Sequence, residues 1–281
     1  MTNWPIGLST GCFYQNPILD CLELIRASGF SMIEVCSAPA HLDFHDTQAV
    51  NAVAERISQL GMEAYSFHAP FAGWIDISAH EPDRRELALQ EIFRAVEAAA
   101  ALEVHYFVIH PGPEHSHIPP QEERLRRMEN TVAVLNRVAR RCSELGIGCV
   151  LENKLPHLLF GNTSDILWIL DALDGVEAGA CLDTGHAFLS GDLPNLLRKL
   201  GSRLRMIHAH DNRGGFDDHL PPGDGSINWP SLLGELVGIH FHGAIVLEMA
   251  GALEPLATMA NARRGRSYLR KMARSLALKH P

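Results

Sequence analysis

Short apolar runs alternate eight times with longer stretches of helical periodicity along the chain, and few folds accommodate that pattern. The strand-like runs are Ile6 to Cys12, Ser31 to Ser37, Glu63 to His68, His105 to His110, Gly148 to Asn153, Ala178 to Asp183, Leu204 to His210 and Ala244 to Glu248. Between them, apolar residues recur at helical spacing over Ile18 to Ala27, Thr47 to Leu60, Asp83 to Leu102, Arg124 to Leu145, Thr163 to Leu173, Leu193 to Leu200 and Trp229 to Val237, and a last helix ends near Leu278. Gly29, Gly61 and Gly146 read as helix stops, Pro82 and Asp83 as a helix start, and Thr163 or Ser164 as a cap. Eight such pairs predict an α/β protein built as a closed parallel (β/α)8 TIM barrel, one domain over residues 1–281. The rival is an open doubly wound sheet. No G-x-G-x-x-G follows the first strand, which counts against its dinucleotide-binding form.

Composition narrows the partners. A net charge of -9 argues against duplex nucleic acid, whose phosphates need a basic surface. The six cysteines contain no C-x-x-C pair and read as buried thiols in a reducing compartment. No basic-then-apolar leader and no uncharged apolar run of 18 residues is present, so no membrane partner and a cytoplasmic location are expected. A homo-oligomer is neither required nor excluded.

In a barrel of this kind the active site lies where the strands end. The third strand ends in His68, the fourth in His110, the fifth in Glu152-Asn153, the sixth in Asp183-Thr184-Gly185-His186, the seventh in His208 and His210, and the eighth in Glu248. The seventh runs into the densest stretch, Leu204 to Gly225, with three histidines and four aspartates. On an extended strand His208 and His210 share a face, and Asp217-x-His219 can fold back over them. Oxygen and imidazole donors at this density suit zinc or manganese; a thiolate site would need paired cysteines. Glu152 and Glu248 each follow an apolar run, and a buried carboxylate is costly unless paired or metal-bound. His41, His45, His115 and His117 are expected in exposed loops and His240 and His242 at the opposite rim. Glu34, inside the second strand, is left outside the site, and the basic tail from Arg263 to Lys271 reads as the wet face of the last helix.

These strand ends resemble the xylose isomerase-like superfamily of barrels, which includes sugar isomerases, sugar epimerases and the endonuclease IV branch. The resemblance implies that Glu152, Asp183, His208 and Glu248 hold one divalent ion, as in the epimerase branch. It also implies that His68 in H-A-P, His110 in H-P-G, His186 in D-T-G-H, and Asp217 with His219 in D-D-H-L-P-P-G-D-G fall where the endonuclease IV branch places the remaining ligands of three zinc ions. By this match His208 is the strand-seven ligand and His210 its neighbour.

Two enzymes follow from that set. In the preferred one, a divalent ion polarises a carbonyl and its neighbouring hydroxyl, and Glu152 and Glu248 take and return the carbon-bound proton of a small sugar-like substrate. His186, His210 and Arg213 are then expected to meet substrate. In the alternative, one to three zinc ions serve a phosphoesterase acting on a small phosphoester rather than DNA. A barrel that binds sugar or metal without turnover is the third reading.

Overall fold

The computed structural model describes residues 4–114, 117–174, 178–251 and 254–277. Eight parallel strands close on themselves in chain order: β1 Ile6–Ser9, β2 Met32–Cys36, β3 Glu63–His68, β4 Tyr106–Ile109, β5 Gly148–Glu152, β6 Ala178–Asp183, β7 Leu204–Ala209 and β8 Ala244–Leu247. Each is short, as strands inside a small barrel are. Around them lie α1 Ile18–Ala27, α2 Thr47–Gln59, α3 Pro82–Ala101, α4 Gln121–Glu144, α5 Thr163–Ala172, α6 Thr184–Leu189, α7 Leu193–Leu200, α8 Trp229–Gly238 and α9 Pro255–Ala277. The predicted TIM barrel is the fold observed, and it forms one domain. Among the described residues no helix is long and apolar enough to cross a membrane.

Two cores hold the layers together. Outward-facing strand residues such as Ile33, Phe67, Phe107, Leu151, Ile207 and Leu247 pack against the helices in one continuous cluster. Inside the barrel sits a smaller plug of Val108, Val150, Cys181, Met206 and Val246, backed by Tyr65 and Tyr106. Side chains along a strand alternate between faces. The next inward positions beyond the plug are therefore His110, Glu152, Asp183, His208 and Glu248, so an apolar floor carries a polar layer above it.

The helices end where the sequence signals them. Gly61 and Gly146 follow α2 and α4 at φ +58° and +75°, a region that costs glycine little. Five details differ from the sequence reading. β1 stops at Ser9, whose hydroxyl accepts from Gly11 N at 3.3 Å and opens a 3-10 turn over Thr10–Phe13. A six-residue helix, α6, follows β6 directly because the Asp183 carboxylate caps it, accepting from His186 N at 2.7 Å. The cap position of α5 is Asn162, not Thr163 or Ser164. His41 is buried rather than exposed, bound to Asn16 O and Thr10 Oγ1 at 2.6 and 2.9 Å. Arg266 leaves the wet face of α9: it lies 4.0 Å over the Phe30 ring and donates to Ser28 O and Gly29 O at the end of α1. His45 and His117 are exposed as expected, His45 reaching Glu91 at 3.0 Å, and His240 and His242, just before β8, are exposed too. His115 and Leu278 lie outside the described residues.

Candidate metal centre

Two carboxylates organise the polar layer, each faced by three imidazoles. Around Glu152 stand His68 Nε2 at 3.2 Å, His110 Nε2 at 3.3 Å and His208 Nδ1 at 3.1 Å. Around Asp217 stand His219 Nε2 at 3.0 Å, His186 Nε2 at 3.3 Å and His210 Nδ1 at 3.7 Å. Five of these imidazoles anchor the opposite ring nitrogen within 3.0 Å: His68 on Ala69 O, His110 on Glu114, His208 on Glu34, His186 on Asn153 O and His210 on Asp183. His219 Nδ1 faces Glu248 O at 3.4 Å. An acceptor on one side fixes the N–H there and leaves a lone pair on the other, the arrangement in which histidine ligates metal.

That pattern tests the fit of an ion directly. His208 Nδ1, His210 Nδ1 and Asp217 Oδ1 are buried and find no hydrogen-bond partner among the described residues. His208 Nδ1 also lies 3.4 Å from Glu248 Oε1, so with its proton committed to Glu34 it faces two carboxylates. Lone pairs meeting lone pairs in a dry site need a cation between them, a second proton on each ring or a metal ion. Donor atoms of Glu152, Asp183, His208 and Glu248 lie within 4.8 Å of one another, as do those of His68, His110 and Glu152, and those of His186, His210, Asp217 and His219. The donors are carboxylate oxygens and imidazole nitrogens, a set that can hold a divalent ion.

The carboxylates also act on the protonation of the imidazoles. Burial opposes charge on the imidazoles, but Glu152 lifts His68 to about 9, Asp183 and Asp217 lift His186 to about 10, and Asp217 lifts His219 to about 9. Glu248 moves the other way from Glu152. Burial raises it and the charges of Glu152 and Asp183 add to the rise, whereas the neighbouring imidazoles hold Glu152 well below the ordinary carboxylate range.

The structure thus draws together His68, His110, Glu152, Asp183, His186, His208, His210, Asp217, His219 and Glu248. Glu152, Glu248, His68, His110, His186, Asp217 and His219 line a cavity of about 820 Å³ above the barrel. His210 is fully buried beneath it, bound to Asp183 rather than open to a substrate. Arg213 stands apart: it is exposed, its backbone N–H donates to Asp218 at 3.0 Å, and it is not among the residues lining the cavity.

Several participants carry no motif in the sequence. Glu34 is fully buried, accepting from Ser9 and Ser66 at 3.1 and 2.8 Å besides His208. Glu114 binds His110 at 2.8 Å and is held at about 2, since His110 and Lys154 outweigh its burial. The Lys154 ammonium, itself buried, joins Glu114 to Gly112 O and Pro113 O at 3.1, 3.0 and 2.5 Å. The Asn153 amide bridges to the Asp183 backbone in both directions, at 2.8 and 3.0 Å. Asp211 accepts from Gly223 N, Ile227 N and Trp229 Nε1 at 2.9, 3.0 and 2.8 Å, and so ties down the loop that carries Asp217 and His219. Cys181, read as core, sits in the plug with its sulfur near the donor atoms of Glu152 and His208. His219 holds φ +46°, a strained value for a non-glycine residue and one that concentrates at functional sites.

A family model described as a xylose isomerase-like TIM barrel matches residues 22–272. The chain belongs to that family. The uncharacterized protein MJ1311 of Methanocaldococcus jannaschii is 28% identical to the chain over 250 residues, covering 86% of this chain and 82% of the relative. The 2-oxo-tetronate isomerase of Pectobacterium atrosepticum is 25% identical over 245 residues, covering 84% and 87%. Among solved structures, a D-tagatose 3-epimerase-like protein superposes with a TM-score of 0.84 at 24% identity, over 99% of this chain and 100% of the other. The last comparison carries the fold alone. Isomerases and epimerases are among the curated relatives of this chain.

Proposed function

We propose that this protein is a divalent-metal-dependent isomerase or epimerase of a small sugar-like carbonyl compound. The observation that carries the reading is the set of Glu152, Asp183, His208 and Glu248, whose donor atoms meet within 4.8 Å. Two of its carboxylates, Glu152 and Glu248, line the cavity, and both lie against His208 Nδ1, at 3.1 and 3.4 Å. A divalent ion held there, zinc or manganese, supplies the Lewis acidity that loosens the proton on a carbon next to a carbonyl. The chain's own residues do the rest. Glu152 and Glu248 face one bound carbon from two directions, so one removes its proton and the other returns one, as general base and general acid. Asp183 and His208 hold position, the first through the Asn153 bridge and the second through Glu34. His186, at the cavity wall beside Asp217, is placed to bind a substrate hydroxyl. The name of the 2-oxo-tetronate isomerase supports the reaction class. The six unpaired cysteines, five of them buried, support a reducing, cytoplasmic location.

The test is solvent exchange. Metal-loaded protein in D2O should place deuterium on the carbon beside the carbonyl of at least one sugar in a ketose panel, and Glu152→Gln, compared at a metal concentration that fills its weakened site, should lose that exchange by about 100-fold or more. Exchange untouched in a metal-bearing Glu152→Gln protein removes the mechanism.

One observation favours a second reading. The His68, His110 and Glu152 group and the Asp217 group each suit a further ion, and a cluster of two or three zinc ions serves phosphoester hydrolysis by in-line attack. Phosphodiester turnover abolished in His68→Ala would support the hydrolase.

A further inference from the structure

The donor residues occupy one side of the cavity, and its other side is of a different character. There the loops after β1, β2 and β3 contribute Tyr14, Leu42, Phe44, Phe71, Trp74 and Ile75. Three of these rings stay wet in the free protein: Tyr14 is 44%, Phe71 54% and Trp74 55% exposed. The Phe71 ring centroid lies 5.3 Å from that of His68 and 5.4 Å from that of His110, so the apolar wall begins at the donor residues. A cavity of about 820 Å³ is in the range that encloses drug-sized molecules and exceeds what a free six-carbon sugar fills.

The charges around this space are one-sided. Among the described residues that line it, Lys154 is the only lysine or arginine, and its ammonium is spent on Glu114, Gly112 O and Pro113 O. Asp43 and Glu91 also line it, with His45 between them at 3.3 and 3.0 Å and Arg94 3.8 Å from Glu91, so these carboxylates already have partners and no cation there is left over for an anion. A phosphate at the far end of a sugar, away from the donor histidines, would meet carboxylates and aromatic faces, with no free lysine or arginine among the described lining residues to pair with.

We propose that the substrate is an unphosphorylated keto-sugar derivative bearing an apolar, ring-sized substituent that lies against Tyr14, Phe71 and Trp74. The reacting end rests on the isomerase reading; the distal end rests on the cavity wall. Exposed aromatic surface beside a polar centre is the usual mark of a site that desolvates an apolar group of its ligand.

Calorimetric titration of the metal-loaded protein tests this with four probes: D-fructose, its 1-O-benzyl and 6-O-benzyl ethers, and D-fructose 6-phosphate. At least one benzyl ether should bind about tenfold or more tightly than D-fructose, the gain expected for burying one ring. The 6-phosphate should bind no tighter than D-fructose. In Trp74→Ala and in Phe71→Ala, both loop substitutions outside the barrel core, the ratio of benzyl ether to free sugar should fall toward one. No measurable benzyl ether binding, a ratio near one in the unaltered protein, a ratio unchanged in both variants, or preference for the phosphate overturns the proposal. Deuterium uptake read on the same mixtures separates the two readings. A benzyl preference without uptake keeps the distal assignment and removes the isomerase; uptake without a benzyl preference does the reverse.

Discussion

Glu34 Oε2 and His208 Nε2 lie 2.9 Å apart, both side chains fully enclosed, and this contact decides which nitrogen of His208 is left to face the site. Partners of this kind set the tautomer and basicity of a metal-binding imidazole. Glu34→Gln keeps the shape and removes the charge. It should weaken divalent metal binding by roughly 10-fold to 100-fold, measured by competition with a chromophoric chelator. Unchanged affinity would mean that His208 is not a ligand.

Asp211 predicts a loss of stability instead. Its fully buried carboxylate accepts the N–H of exposed Gly223 and, shielded from water, the N–H of Ile227 and the Trp229 indole. Asp211→Ala strands these donors and should cost about 2 to 4 kcal/mol in urea unfolding. Because the tethered loop carries Asp217 and His219, the variant should also retain less metal.

Gly185 lies where α6 passes His210. A Cβ built on it would fall 2.0 Å from His210 Cε1. Gly185→Ala should therefore push the imidazole off Asp183 and destabilise the fold by about 1 to 3 kcal/mol. A melting temperature equal to that of the unaltered protein would contradict this close approach.

Much of this was legible in the sequence because a strand has a period of two. The step from Val150 to Glu152, from Met206 to His208 and from Val246 to Glu248 is one inward position, so apolar runs closed by a carboxylate or imidazole announce a floor and a site above it. The unread parts depend on contacts between elements that are distant in sequence. Glu34 reaches His208 across the barrel, 174 positions away, and only closure of the sheet brings them together. Glu114 and Lys154 meet in loops after different strands, and no periodicity marks loop residues. The helix α6 was hidden because Asp183, its cap, also ends a strand. His41 looked like loop chemistry, yet the chain folds it inward.

His41 yields a pH prediction. Burial pushes its imidazole below the ordinary value of 6.5, with the Asn16 carbonyl partly opposing. A depressed imidazole must be neutral in the fold, so its contribution to stability is present above about pH 6.5 and is lost as the pH falls toward the folded value. The stability difference between the unaltered protein and His41→Gln should shrink from pH 7.5 to pH 5.5, on the order of these ordinary imidazole limits, in denaturant titrations. A difference that grows on acidification would contradict the assignment.

The central claim is that the convergent side chains hold divalent metal, with Glu152, Asp183, His208 and Glu248 as the minimal set. Elemental analysis of metal per chain, on protein purified without chelator, tests it most directly, with Asp183→Asn and His68→Ala measured alongside. The account predicts at least one zinc or manganese ion per chain, lost in Asp183→Asn, with one ion remaining in His68→Ala. A folded protein with no divalent metal, or with metal content untouched in Asp183→Asn, would contradict it.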